Sequence, residues 1–218
     1  MDSVLIKQIS FIPKSTTLNG IIVLTHIVGV IGLSSPWSDL FISITPIHLM
    51  LIFAILIVSH GKISKSFIIF LSFVVSASYF IEFIGVNTGS IFGNYSYGKA
   101  LGLKLGDTPL LIGILWFTLI YSIGTMLAKL RSNIFLRSIA GASLMLLIDL
   151  FIEPVAITFD FWSWENDTIP VQNYLAWFVI SFFFLTGFNL YSFEKSNPTA
   201  KTIFYSQLFF FVAINIII

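Results

Sequence analysis

Long runs of apolar residues separated by short polar segments divide the chain into seven candidate spans. A helix that crosses a bilayer needs about 20 mostly apolar residues, and most of these runs approach that length. The predicted spans are residues 18–33, 45–59, 66–86, 109–130, 134–157, 172–193 and 202–218. The pattern therefore predicts an all-α, polytopic membrane helical bundle of about seven transmembrane helices, forming a single transmembrane domain over residues 1–218.

Two prolines affect how these spans are drawn. Pro46 falls at the start of the second span, and a first-turn position tolerates proline because the N–H there has no helical partner. Pro154 falls inside the fifth span, where the missing N–H is expected to kink or end the helix.

The composition favours lipid as the solvent. The chain is 57% hydrophobic and only 10% charged, with a mean hydropathy of +0.98, whereas soluble domains carry about 25% charged residues. The net charge of +1 and the scattered basic residues indicate no nucleic-acid partner. With no cysteine in the chain, disulfides and thiolate metal sites are excluded. We interpret the first apolar stretch as a retained helix, not a removed signal peptide.

Basic residues are distributed unequally between the two sides that these spans define. One side would carry nine of them: Lys7, Lys14, Lys62, Lys65, Lys129, Arg131, Arg137, Lys195 and Lys201. The other side would carry only Lys99 and Lys104. Because short cytoplasmic loops are enriched in lysine and arginine, the bias predicts a cytoplasmic amino terminus and a carboxyl terminus on the far side.

Three carboxylates fall inside predicted spans: Glu82, Asp149 and Glu153. A charge at the bilayer centre costs about 2.5–3.5 kcal/mol on insertion scales, so such residues are expected to face protein or a wet cavity. Asp149 and Glu153 are four residues apart and share a helix face. Desolvation and mutual repulsion favour a protonated carboxyl, which is a proton donor. The alternative is that one of them is a hydrogen-bonding group at a helix end or between helices.

Two aromatic-rich loops leave the predicted bundle at the same face as these carboxylates. The first, residues 85–98, combines glycines with Tyr95 and Tyr97, and the second contains Trp162 and Trp164. Some of these rings are expected only to form an aromatic belt at the membrane interface. Together with the buried acids, the loops predict a lid and wall over a pocket for an apolar ligand.

Two blocks of residues carry a resemblance to a known family. The first reads Glu82-x-x-Gly85-x-x-Thr88-Gly89-x-x-Phe92-Gly93-x-Tyr95-x-Tyr97, followed by Leu101-Gly102, Pro109-Leu110 and Trp116. The second reads Asp149-Leu150-Phe151-Ile152-Glu153-Pro154-Val155-Ala156, followed by Trp162-x-Trp164 and Pro170-x-x-Asn173-Tyr174-x-x-Trp177. In this order and spacing, over about residues 76–190, the chain resembles the CruF-like carotenoid biosynthesis membrane proteins. One departure is Glu153, where several members of that family have Asp.

The resemblance implies a carotenoid 1,2-hydratase, a hydro-lyase that adds water across the terminal C1–C2 double bond of an acyclic (ψ) end group without a cofactor or metal. Glu82 or Glu153 would donate the proton, and Asp149 would organise its partner or the water. The substrate-binding wall would consist of Tyr95, Tyr97, Trp116, Trp162, Trp164, Asn173 and Trp177. The implied setting is the bacterial inner membrane, with an acyclic carotenoid, membrane lipid and other enzymes of the pathway as partners.

Several other functions compete with that of a carotenoid hydratase. A membrane carotenoid cyclase would share the protonation step and trap the cation with a substrate double bond, and the sequence does not separate the two. A proton-coupled transporter is also compatible with intramembrane acids, although no internal repeat links the halves. The three histidines, His26, His48 and His60, show no spacing that predicts a metal site.

Overall fold

The computed structural model describes residues 15–218 and forms a bundle of seven α-helices in that part of the chain. The helices are α1 Ser15–Leu33, α2 Ser38–Val58, α3 Lys65–Thr88, α4 Ile112–Leu127, α5 Ile134–Thr158, α6 Val171–Leu190 and α7 Ala200–Ile217. Six of them are long and apolar enough to cross a membrane, and α4 is shorter. The prediction of an all-α, multi-pass membrane bundle is confirmed.

The start of the second predicted span was wrong, and the fifth span does not end at its proline. Helix α2 begins at Ser38 instead of residue 45, so Pro46 lies inside the helix and not in its first turn. Beside the proline, Thr45 Oγ1 donates to the Phe41 carbonyl oxygen at 2.9 Å. Helix α5 continues through Pro154 to Thr158, so the proline does not end it.

Helix α4 begins three residues later than predicted because Thr108–Pro109 forms a short strand. This strand, β3, pairs antiparallel with β2, Lys104–Leu105. The sixth span also ends earlier than predicted, at Leu190 instead of residue 193. In α4 itself, residues 116–125 are all buried, because the helix contacts α2, α3, α5, α6 and α7. A helix surrounded by protein need not match the thickness of the lipid.

Successive helices run in alternating directions, so their connections gather at two ends of the bundle. The α1–α2, α3–α4 and α5–α6 connections share one end, which we call the site end. Within residues 15–218, the site end carries Lys99 and Lys104, and the other end carries Lys62, Lys65, Lys129, Arg131, Arg137, Lys195 and Lys201. Lys7 and Lys14 lie outside the described residues. The orientation in the membrane stays a prediction from this bias.

The two aromatic loops at the site end join in a small antiparallel sheet that the sequence analysis did not predict. Strand β1, Tyr95–Tyr97, pairs with β4, Trp162–Trp164. The pairing extends by one bond at each end, from Gly98 N to the Phe161 carbonyl oxygen at 2.9 Å and from Glu165 N to the Asn94 carbonyl oxygen at 3.0 Å. A Cβ at Gly98 would overlap the carbonyl oxygen of Asp160, so this close approach of the loops requires glycine.

Candidate active site

Glu82 lies near the end of α3 and is almost fully buried, with 4% of its surface exposed. Its Oε2 accepts hydrogen bonds from the hydroxyls of Tyr95 at 2.5 Å and Tyr97 at 2.8 Å. Its Oε1 accepts a bond from Trp116 Nε1 at 2.8 Å. Three donors from β1 and α4 therefore hold one carboxylate in place.

Glu153 lies near the end of α5 and also accepts three hydrogen bonds, all of them from N–H groups. Its Oε2 accepts from Trp162 Nε1 at 2.9 Å and from Trp164 Nε1 at 2.8 Å. Its Oε1 accepts from Asn173 Nδ2 at 3.0 Å, from the start of α6. Strand β4 thus supplies two hydrogen-bond donors to Glu153, as β1 supplies two to Glu82.

Asp149 lies one helical turn deeper than Glu153 and is fully buried. Its Oδ2 accepts a longer hydrogen bond from Asn173 Nδ2 at 3.2 Å, and its Oδ1 has no partner among the described residues. Asn173 therefore bridges the two acids of α5. In the described part of the chain, the hydrogen-bond donors to the three carboxylates are all uncharged side chains.

The sheet explains how four aromatic side chains converge on the two glutamates. Neighbouring residues of a strand point to opposite faces, and the register pairs Tyr95 with Trp164 and Tyr97 with Trp162. All four rings therefore share the inner face, with the Tyr95 and Trp164 ring centroids 5.0 Å apart. On the outer face, Ser96 and its partner Ser163 in β4 are exposed.

The environment of the two tyrosines keeps them protonated. Burial, followed by the nearby Glu82 carboxylate, raises the pKa of Tyr95 above its ordinary value. The same two causes raise the pKa of Tyr97 well above 10. Both hydroxyls therefore remain hydrogen-bonding groups over the whole physiological pH range.

A small cavity of about 20 Å³ lies between Glu82 and Glu153. Its other lining residues are Phe92, Tyr95, Tyr97, Ile112, Trp162, Trp164, Asn173 and Trp177. A site needs roughly 10–15 Å³ and polar partners to hold a water molecule. The cavity has the size and the polar groups for one water in contact with both carboxylates.

A second, apolar cavity of about 430 Å³ adjoins the small one. Residues of α1, α2, α4 and α7 form most of its wall, and Ile112, Trp162 and Trp177 line both cavities. Trp116 lines the large cavity and stacks on Trp177, with ring centroids 4.4 Å apart. The volume falls within the range of about 300–1,000 Å³ that is usual for small-molecule sites.

The large cavity reaches the outer surface of the bundle between α1 and α2. Leu24 and Ile47 belong to its wall and are 61% and 70% exposed. In a membrane this surface faces lipid, since both residues lie within apolar spans. A hydrophobic chain that enters here from the bilayer can reach the aromatic boundary between the two cavities, formed by Trp162 and Trp177, with its end.

All ten residues that the sequence singled out belong to one connected cluster. Hydrogen bonds join Glu82 to Tyr95, Tyr97 and Trp116, and a second set joins Glu153 to Trp162, Trp164 and Asn173, which also binds Asp149. Ring contacts of Tyr95 with Trp164 and of Tyr97 with Trp162 connect the two sets, and Trp177 stacks on Trp116. Their individual roles stay predictions. Among residues 15–218, no group of three or more His, Asp or Glu side chains is arranged to hold a metal ion.

Several lining residues were missed. Phe92 and Ile112 line the small cavity, and His26, His48 and Gln207 line the large one. The alternation Tyr-Ser-Tyr and Trp-Ser-Trp is the two-residue period of a β-strand and could have indicated the sheet.

A known protein family matches most of this chain. The family model described as carotenoid biosynthesis protein matches residues 42–218. A curated relative, bisanhydrobacterioruberin hydratase of Haloarcula japonica, is 32% identical over 108 residues, which cover 46% of this chain and 37% of the relative. The match thus spans well under two thirds of that relative's length. No solved structure matches the chain significantly.

Proposed function

This chain belongs to the carotenoid biosynthesis protein family, and from this premise we propose that it is a membrane enzyme that hydrates the end group of an acyclic carotenoid. The observation that carries the proposal is the water-sized cavity between two buried glutamates, at the aromatic end of an apolar cavity. That arrangement would provide an acid, a base and room for one water at the place where a polyene tip would stop. The similarity to a hydratase supports the same reaction.

Binding of the substrate would use the large cavity. The polyene would enter between α1 and α2, with its terminal isopropylidene group reaching Trp162 and Trp177. The stacked indoles of Trp116 and Trp177 would then lie beside the reacting carbons. An aromatic face stabilises a nearby cation by about 0.5–2 kcal/mol, which favours a carbocation at this position.

Glu82 is the proton donor in this proposal. Its proton moves to C2 of the terminal double bond, the π electron pair forms the new C–H bond, and a tertiary cation remains at C1. The tyrosine hydroxyls that contact Glu82 can both donate and accept hydrogen bonds. They can therefore accommodate the carboxyl group before the transfer and the carboxylate after it.

Glu153 is the base. A water molecule in the small cavity attacks C1 with an oxygen lone pair, and Glu153 takes a proton from it, which leaves a tertiary alcohol. The Trp162, Trp164 and Asn173 groups around Glu153 only donate to it, which stabilises the carboxylate needed for this step. The proton then returns from Glu153 to Glu82 through the next water, so the net change is the addition of one water.

Asp149 is a positioning residue in this scheme. It shares the Asn173 amide with Glu153 and so orients the group that holds the base. Ionising a buried acid is costly unless it is well paired, and Asp149 accepts a single long hydrogen bond from the described residues. A neutral Asp149 would avoid a second negative charge next to Glu153.

The same geometry favours hydration over cyclisation. A cyclase shares the first step, but it must keep water away from the cation while a double bond of the substrate folds onto it. Here a polar cavity of water size adjoins the aromatic boundary, between the two acids. The setting that we propose is the bacterial inner membrane, with the site end on the non-cytoplasmic side.

Expression in cells that accumulate an acyclic carotene tests the proposal. We expect carotenoids that are heavier by one water per modified end and carry a tertiary alcohol, detected by mass spectrometry. A product of unchanged mass with a ring would establish cyclisation instead. An unaltered carotene, with the protein correctly inserted in the membrane, would refute both reactions.

A further inference from the structure

Two histidines stand out in the wall of the large apolar cavity. His26 of α1 and His48 of α2 both line it, and their rings contact edge to face with centroids 4.9 Å apart. Gln207 of α7 lines the same cavity. The proposed chemistry at the two glutamates uses none of these three polar side chains.

The hydrogen bond of His26 determines which of its nitrogens remains available. Nδ1 lies 2.7 Å from the carbonyl oxygen of Ile22. Since a carbonyl oxygen can only accept, a neutral His26 ring carries its hydrogen on Nδ1. Its Nε2 is then a hydrogen-bond acceptor.

The same reasoning applies to His48. Its Nε2 lies 3.2 Å from Thr25 Oγ1, and that hydroxyl donates its hydrogen to the Ile22 carbonyl oxygen at 3.1 Å. With the Thr25 hydroxyl donating in this way, His48 donates from Nε2 and its Nδ1 is the acceptor. Both imidazoles thus have one nitrogen lone pair that the hydrogen bonds of the described residues leave unused.

Gln207 is a third polar residue of the same wall. Its Oε1 is buried and has no hydrogen-bond partner in the part of the chain that the structure describes. A buried polar group without a partner is unfavourable. Two unused imidazole nitrogens, with an unpartnered amide oxygen beside them, in a largely apolar cavity favour a ligand that donates a hydrogen bond. A hydroxyl is the donor that an apolar chain can carry into lipid.

We propose that His26 and His48, with Gln207, form a hydroxyl-binding site that makes this chain selective for a polyene already carrying an alcohol near its reacting end. The inference rests on the proposed function, because it assigns the large cavity to the carotenoid. It implies that a reaction that introduces a hydroxyl, a hydration or a hydroxylation, precedes this one.

Isoprenoid alcohols of graded length provide a test that does not depend on knowing the carotenoid. Geraniol, farnesol and geranylgeraniol all end in the isopropylidene group of an acyclic carotenoid, and each has its hydroxyl farther from that group than the one before. Their dissociation constants in lipid nanodiscs would be compared with those of the matching hydrocarbons, by native mass spectrometry. A Glu82→Gln background prevents turnover during the measurement. We expect one length at which the alcohol binds about 5- to 10-fold tighter than its hydrocarbon, the contribution of one or two hydrogen bonds.

Three variants separate hydroxyl recognition from cavity shape. In His26→Leu/His48→Leu the alcohol and the hydrocarbon should bind equally, whereas His26→Gln, which retains an amide acceptor, should keep part of the preference. Phe210→Leu is the matched control, because Phe210 lines the same cavity and packs against His26 but offers no hydrogen bond. It should weaken both ligands alike and preserve their ratio.

Equal binding of alcohol and hydrocarbon at every length would overturn the inference, as would a preference that survives in the double leucine variant. The preference is a ratio of affinities, so it can be measured whether or not the wild-type protein adds water. A chain that hydrates plain carotenes and shows no preference would refute only the hydroxyl site. A chain with the preference and no hydration would refute only the proposed reaction.

Discussion

Glu82 and Glu153 line the same small cavity and accept three hydrogen bonds each, but their donors differ in kind. Two of the three groups at Glu82 are tyrosine hydroxyls, which can reverse the direction of a hydrogen bond. The groups at Glu153 are two indole N–H groups and an amide N–H group, and an N–H group can only donate. Two like carboxylates can take opposite roles in proton transfer when their neighbours differ in this way.

The two surroundings come from one structural device. Strand β1 brings the tyrosines to Glu82 on α3, and strand β4 brings the tryptophans to Glu153 on α5. Because β1 and β4 pair, the two glutamates are held at a defined separation by a sheet that belongs to neither helix. The donors of Glu82 and those of Glu153 lie on different strands, so each set can be changed without changing the other.

The largest effect is expected from replacing each glutamate by its amide. Glu82→Gln and Glu153→Gln should both lower the hydration rate by about 10³-fold, in line with the contribution of general acids and bases. The two variants should differ in heavy water. With Glu153→Gln the carotene should still exchange hydrogen for deuterium, because protonation at C2 is reversible; with Glu82→Gln it should not.

Mass spectrometry of the recovered carotene measures this exchange. Deuterium uptake by the Glu82→Gln protein alone would reverse the two assignments. Equal uptake by both variants would mean that the difference between the two sets of donors has no consequence for the reaction.

Separating the two strands should have the next largest effect. A Cβ at Gly98 would overlap the Asp160 carbonyl oxygen, and forcing atoms into a packed site destabilises it by about 1–3 kcal/mol. We expect Gly98→Ala to lower turnover about 10- to 100-fold and to lower the melting temperature. Gly20→Ala is the control, since no atom lies within 4 Å of the added Cβ. Normal turnover in Gly98→Ala would show that the sheet is not needed to hold the acids.

Single donors should matter less, and they should affect different steps. Tyr97→Phe is expected to slow deuterium exchange about 10-fold, because it removes a hydroxyl group that forms a hydrogen bond with Glu82. Trp164→Phe should leave the exchange nearly intact and slow alcohol formation by a similar factor. Ser96→Ala, on the exposed outer face of the sheet, should change either rate by less than about twofold. If both donor variants slowed the same step equally, the proposed division of roles would be wrong.

Near neutral pH the smallest effect is that of tyrosine ionisation, which acts on stability only in alkali. The pKa values of Tyr95 and Tyr97 are raised by burial and by Glu82, so the folded protein keeps both hydroxyl protons above pH 10, where an unfolded chain releases them. The stability from these tyrosines is present in full below about pH 10 and is lost as the pH rises beyond it, by up to 1.4 kcal/mol per pH unit for each.

Thermal unfolding in nanodiscs between pH 9 and 12 measures this loss, and Tyr95→Phe/Tyr97→Phe is the control with a flatter profile. Activity should not decline below pH 10 through ionisation of these tyrosines. An absorbance titration in which Tyr95 and Tyr97 ionise at their ordinary pKa, in the folded protein, would contradict the prediction.

Much of the fold could be predicted because lipid imposes a local rule. Apolar runs of sufficient length must form helices, and the helix count followed from them. The errors lay where another interaction competed with this rule. Thr108 and Pro109 joined a short strand pair and shortened α4, while Pro46 was accommodated inside α2.

The sequence by itself determined the membrane bundle, the unequal charge of its two ends and the acids and aromatic residues of the site, because each depends on local composition or spacing. Only the tertiary structure decided that β1 pairs with β4, that Glu82 and Glu153 share a water-sized cavity, and that His26 and His48 meet in an apolar wall. These features join segments far apart in the chain, and strand register and side-chain packing between helices set them.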